Sequence, residues 1–156
     1  MNTYLVVKTM HILSSVLLVG TGFGTAFYLY FANRTRSVPV IAAVARLVVR
    51  ADWWFTTPAV LFQPASGLWL AHAAGWPWRS PWIVAALALY ALAGACWLPV
   101  VWLQLQLANL AQAAHESHAS ALPARYWYYA KRWEWLGYPA FVAMLLVYFL
   151  MVFKPS

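Results

Sequence analysis

Tyr4 to Phe31 reads YLVVKTMHILSSVLLVGTGFGTAFYLYF, a lipophilic run whose only ionisable interruptions of note are Lys8 and His11. It exceeds the ~20 residues that cross ~30 Å of hydrocarbon at ~1.5 Å per residue, so it predicts a transmembrane helix. Three further runs follow: about Trp54 to Gly75 with Pro58 and Pro64 inside it, about Trp82 to Leu107, and about Trp133 to Phe153. Proline is tolerated within a span because neighbouring helices and polar side chains re-satisfy the freed carbonyls. The expected fold is all-α, a transmembrane four-helix bundle forming a single membrane domain over residues 1–156.

Composition agrees. The chain is 65% hydrophobic and 8% charged, where a soluble domain carries about 25% charged residues. The same figures exclude disorder. Ten Lys and Arg against three Asp and Glu give a net charge of +7. The cations sit in the connections rather than on a basic helix face, which argues for orientation in a bilayer and against nucleic acid as a partner. Cys96 is the one cysteine, so no intrachain disulfide can form.

The connections differ in character. Asn33 to Trp53 carries four arginines, with Val38, Ile41, Val44, Ala45 and Val48 at helical spacing. About 38–52 therefore reads as an amphipathic stretch lying at the headgroups. Trp76 to Pro81 is a tight proline-rich link, and Ala108 to Arg132 is the long polar connection. Sorted by side, Lys8, Arg79 and Lys154 face Arg34, Arg36, Arg46, Arg50, Arg125, Lys131 and Arg132. The richer face belongs in the cytoplasm, which puts both termini outside, in the periplasm if the membrane is a bacterial inner membrane. The first run has no basic leader and is too long for the apolar core of a cleavable signal peptide. Aromatic clusters at Trp53-Trp54, Trp76/Trp78/Trp82, Tyr126 to Tyr129 and Trp133/Trp135 mark the span ends, as an interfacial belt requires.

His11 is the residue most suggestive of chemistry. It lies about 10 Å into the first span, where ionisable groups are rare and mark functional sites. Lys8 is one turn earlier on the same face. The competing reading makes His11 a neutral hydrogen-bonder between helices and Lys8 a snorkelling cation. His72, near the end of the antiparallel second span, falls at a similar depth. Two imidazoles on two helices suit an iron held between them, as in a haem-b site within a bundle; alone, His72 reads as an interfacial residue. Lys8, Arg79 and Lys154 lie on that side and could pair with haem propionates. His115 and His118 on the other face, beside Glu116, read as a solvated polar loop, because their spacing differs from the His-Glu-x-x-His of zinc hydrolases. Trp97 and Trp102 could pack on a ring or a quinone, or simply on other helices. No nucleophile triad, paired carboxylates or phosphate-cradling glycine loop is present.

The opening Val-Val-Lys-Thr-Met-His-Ile-Leu-Ser-Ser, the Trp53 to Leu70 segment with its Pro-Ala-Ser-Gly-Leu-Trp-Leu, Trp97-Leu-Pro-Val and the terminal Met151-Val-Phe-Lys-Pro together resemble an uncharacterised (DUF) family of four-helix bacterial membrane proteins over nearly the whole chain. That family is in turn distantly similar to the CopD copper-resistance proteins and the HemJ-type protoporphyrinogen oxidases. The HemJ likeness rests on His11 with its surroundings and on the Lys154-Pro155 ending. It implies b-type haem ligated at His11, and says nothing of His72 as a second ligand.

Two functions compete on this reading. The first is a haem-b membrane redox protein, with His11 and His72 as axial ligands, exchanging electrons with a quinone or a porphyrin; a HemJ-like oxidoreductase is its enzymatic form. The second is a non-enzymatic copper-handling or accessory protein in which His11 is structural, although the clustered Met, His or Cys ligands that soft copper favours are absent. In either case the bilayer is the first partner, with a second copy or a redox subunit as candidates beyond it.

Overall fold

The computed structural model describes residues 2–155, all of the regular structure being helical. Five helices follow in order: α1 (Thr3–Arg34), α2 (Val38–Ala51), α3 (Thr57–Ala73), α4 (Pro81–Glu116) and α5 (Ala124–Phe153), with a π turn over Asp52–Thr56 joining α2 to α3. By length and composition α1, α4 and α5 can each cross a membrane. Helix α3 is shorter at 17 residues, but it continues out of the π turn and packs along α1.

Local chemistry sets the boundaries. The Asn2 side chain accepts the Tyr4 N–H at 3.1 Å and caps α1. Pro39 and Pro81 stand in the first turns of α2 and α4, where the missing N–H has no intrahelical acceptor to serve. Pro58 accounts for the π turn: its ring would collide with the Trp54 carbonyl of a regular helix, so the backbone widens by one residue just before it. Helix α3 ends in a Schellman motif, Trp76 N–H bonding Ala71 C=O and Gly75 N–H bonding His72 C=O at 3.0 Å each. Gly75 takes the left-handed φ of 74° that this ending needs.

The helices form two antiparallel pairs, α1 with α3 and α4 with α5, and α2 is wedged against α4 and α1 at one end. The main core lies there, around Leu29, Ile41, Leu107 and Tyr126, each less than 2% exposed. Ala42, Ala45, Ala108 and Ala111 are all buried in it, and their small side chains let α2 and α4 approach closely. At the other end a smaller cluster of Ala71, Trp82 and Ile83 ties α3 to α4, with the Lys154 ammonium 5.4 and 5.7 Å from the Trp76 and Trp82 ring centres. Between these ends the pairs touch sparingly. Tyr90 Oη donates to Val60 C=O at 2.7 Å, and Tyr148 Oη donates to Ser15 C=O at 3.1 Å.

Two expectations change. The apolar positions of α2 do form one face, but Val38, Ile41, Ala45 and Val48 are buried in the protein core rather than in headgroups. The polar connection over 108–132 is mostly helix: α4 runs on to Glu116 and α5 begins at Ala124. Ala108, Ala111 and Ala114 continue the buried stripe of α4, so protein packing takes over where the lipid-crossing pattern stops.

Candidate functional site

His11 is held by α3. Its Nδ1 lies 2.8 Å from Ser66 Oγ, and Ser66 Oγ itself donates to Phe62 C=O at 2.7 Å. When the serine proton goes to that carbonyl, the serine oxygen accepts from the ring, which makes Nδ1 the protonated nitrogen and leaves the Nε2 lone pair free. Gly67 makes the approach possible, since a Cβ there would stand 3.2 Å from His11 Cε1. One turn further along α1, Ser14 is 8% exposed and its hydroxyl has no partner among the described residues.

The other expected residues sit near this end without joining His11. His72 is exposed and stacks on Trp78 with ring centres 5.9 Å apart. It stands five residues beyond Gly67, about 7.5 Å along α3 at ~1.5 Å per residue. Ser66 of α3 lies 2.8 Å from the His11 ring, so a flat macrocycle does not fit between Nδ1 and that helix. Lys8 and Arg79 are exposed, and Lys154 is engaged with the Trp76 and Trp82 rings. On the other face, His115 and His118 are exposed at the end of α4. His118 adopts φ 53° and closes a second Schellman ending, its N–H on His115 C=O and Ala119 N–H on Ala114 C=O, which gives it a structural part. Among the described residues no three of His, Cys, Asp and Glu gather as a metal cluster.

A cavity of about 360 Å³ lies between the two helix pairs, deeper along α1 than His11. Its walls are apolar and aromatic, including Phe23, Phe27, Trp97 and Phe141, and its polar groups include Asp52, Thr56, Gln104 and Glu134. Asp52 is 5% exposed, accepts from Thr56 Oγ1 at 2.9 Å and has the Gln104 side chain beside it. Arg34 and Lys131 lie near Glu134. Trp133 also lines the cavity; it is 5% exposed, and its indole N–H has no partner among the described residues.

Sequence reasoning gave no site role to Ser66, Gly67, Gln104, Glu134 or the indole of Trp133, and placed Asp52 only at the end of the amphipathic stretch. The signal for the first two was present: a small Ala-Ser-Gly step in an antiparallel helix at the depth of an intramembrane histidine. No local pattern marks the others, whose meeting depends on how two helix pairs splay.

No curated protein and no solved structure matches the chain. The wider likeness to CopD and HemJ-type proteins is not shown by these comparisons. One family model does match, described as a predicted integral membrane protein, DUF2269, and it covers residues 5–155. Matched over almost its full length, with long apolar helices that can span a bilayer, the chain belongs to the DUF2269 family of integral membrane proteins.

Proposed function

We propose that this membrane protein is a b-type haem redox protein in which His11 Nε2 is the iron ligand. One observation carries the reading: Ser66 Oγ lies 2.8 Å from His11 Nδ1, an arrangement that orients the ring and favours the Nδ1–H tautomer with Nε2 free. Ligating histidines depend on this arrangement, because a hydrogen bond at one ring nitrogen orients the ring and raises the basicity of the other. The donor chemistry fits iron. The fit excludes the space between Nδ1 and α3 and leaves the side of the ring away from Gly67, where His11 is only half-buried. His72 is accordingly outside the ligand set, and Lys8 and Arg79 are the unengaged cations available to carboxylates at that end.

Bound there, the group would supply single-electron transfer. The chain's own part is to hold His11 neutral and oriented through Ser66, with Gly67 clearing the space for its ring. A quinone or a porphyrin is the electron partner in this proposal, and a HemJ-like oxidation its enzymatic form. The copper-handling alternative finds no clustered donor set among the described residues. The proposal places the protein in a bacterial inner membrane with both termini periplasmic.

The test is spectroscopic. Protein purified from haem-replete cells is expected to show a Soret band and a dithionite-induced α-band. Both should disappear in His11→Ala and persist in His72→Ala. A colourless wild-type protein, or a His11→Ala variant with undiminished bands, overturns the assignment.

A further inference from the structure

The cavity between the helix pairs has features that fit it for a ligand drawn from the bilayer. All the lining residues that are exposed, Phe23, Phe27 and Tyr138, belong to α1 and α5, so its mouth lies at the seam between those two helices. That seam faces lipid, and Phe23 stacks on Phe141 across it, ring centres 5.1 Å apart. Gly22, Gly94 and Gly137 line the walls, and a Cβ added at any of them meets no atom within 4 Å. The volume of about 360 Å³ lies at the small end of the ~300–1,000 Å³ typical of ligand cavities. It suits one ring with a short tail better than the paired acyl chains of a phospholipid.

The polar groups narrow the chemistry. The Trp133 indole is a buried donor with nothing to donate to among the described residues, and an unsatisfied buried donor keeps its desolvation penalty. It calls for an acceptor oxygen on the ligand. Asp52 and Glu134 line the same cavity; when ionised they repel a phosphate or a fatty-acid carboxylate, and either can accept from a hydroxyl. Aromatic walls favour a flat body. We infer that the cavity binds a neutral, bilayer-soluble ring compound bearing carbonyl or hydroxyl oxygens, of the quinone class, which enters between α1 and α5 and places an oxygen against Trp133 Nε1. The site shares no residue with the His11 assignment, so each stands or falls separately.

Detergent-purified protein equilibrated with a decyl-substituted benzoquinone and then gel-filtered tests the inference, the retained quinone being read by its ultraviolet absorbance. Saturable retention is expected in the wild type. Gly137→Leu and Gly94→Leu, which fill the cavity from α5 and α4 respectively, are expected to weaken it at least tenfold, with helicity and melting temperature checked on both variants. Trp133→Phe should weaken it about three- to tenfold, the loss of one hydrogen bond. Oleate and phosphatidylglycerol should not compete. Absence of saturable retention in the wild type, undiminished retention in a natively folded leucine variant, or displacement of the quinone by oleate at equal concentration would each overturn the inference. Loss of the Soret band in the same preparations would not bear on it.

Discussion

Tyr126 Oη donates to Asn33 Oδ1 at 2.7 Å, joining the last turn of α1 to the first turn of α5 across ninety-three residues of chain. Tyr126 is fully buried and Asn33 is 6% exposed, so the bond sits in the core that clamps the two helix pairs together at one end. Removing one partner of a buried hydrogen bond costs about 1–3 kcal/mol because the other keeps its desolvation penalty. Tyr126→Phe is therefore expected to lower stability by about that amount. Thermal unfolding in detergent measures it, and a melting temperature equal to the wild type would show the bond to be dispensable.

Ser66 offers a sharper probe of His11 than removal of the histidine. Ser66→Ala leaves the ring in place and deletes the group that favours its Nδ1–H tautomer. Loss of such an outer partner typically lowers metal affinity ~10–100-fold. The expected outcome is a haem content that falls on dilution or on titration with apomyoglobin, in a variant whose melting temperature changes little. Equal haem retention by Ser66→Ala and the wild type would leave the serine without an orienting part.

Gly67 tests the same contact sterically. A Cβ at this position stands 3.2 Å from His11 Cε1, tighter than ordinary van der Waals contact, so Gly67→Val must push the imidazole or α3 aside. The Soret maximum is expected to shift or its intensity to fall. An unchanged spectrum from a folded Gly67→Val protein would show that the ring is not held at this distance.

His118 adopts a left-handed backbone at the end of α4, with φ 53°. This conformation costs a residue with a Cβ roughly 1–2 kcal/mol, and glycine avoids that strain. His118→Gly is expected to raise stability by up to about 1 kcal/mol, offset in part by glycine's greater freedom when unfolded. A fall in the melting temperature would mean that the imidazole makes a contribution of its own.

Orientation can be read by labelling. In a Cys96→Ser background, Ser80→Cys is expected to react with a membrane-impermeant maleimide added to intact cells, and Ser120→Cys only after lysis. The reverse pattern would invert the topology drawn from the seven-to-three distribution of cations.

Much of the architecture was legible from residues 4 to 31 and the three later runs. A helix in lipid satisfies its own backbone, so apolar length alone is sufficient to call for it. The face of α2 was legible too, because Val38, Ile41, Ala45 and Val48 recur at helical spacing. What that face meets was not: an apolar stripe is equally content against lipid or against alanines, and Ala42 and Ala45 found Ala108 and Ala111. The reach of α4 and α5 past the hydrocarbon was hidden for the same reason, since the pattern that marks a span is absent where protein replaces lipid. The depth of His72 matched that of His11 on paper, yet depth says nothing of how closely two helices approach. Gly67 brings α3 directly onto the His11 ring.

Sequence alone determined that this chain lives in a bilayer, that it is built of long apolar helices and that His11 lies within one of them, because each follows from local composition and the fixed rise of a helix. Tertiary structure alone decided which nitrogen of His11 meets Ser66, that Asp52 and Glu134 line one cavity, and that the cavity opens between α1 and α5. Those outcomes turn on helix rotation and spacing, which depend on many weak contacts between residues far apart in the chain.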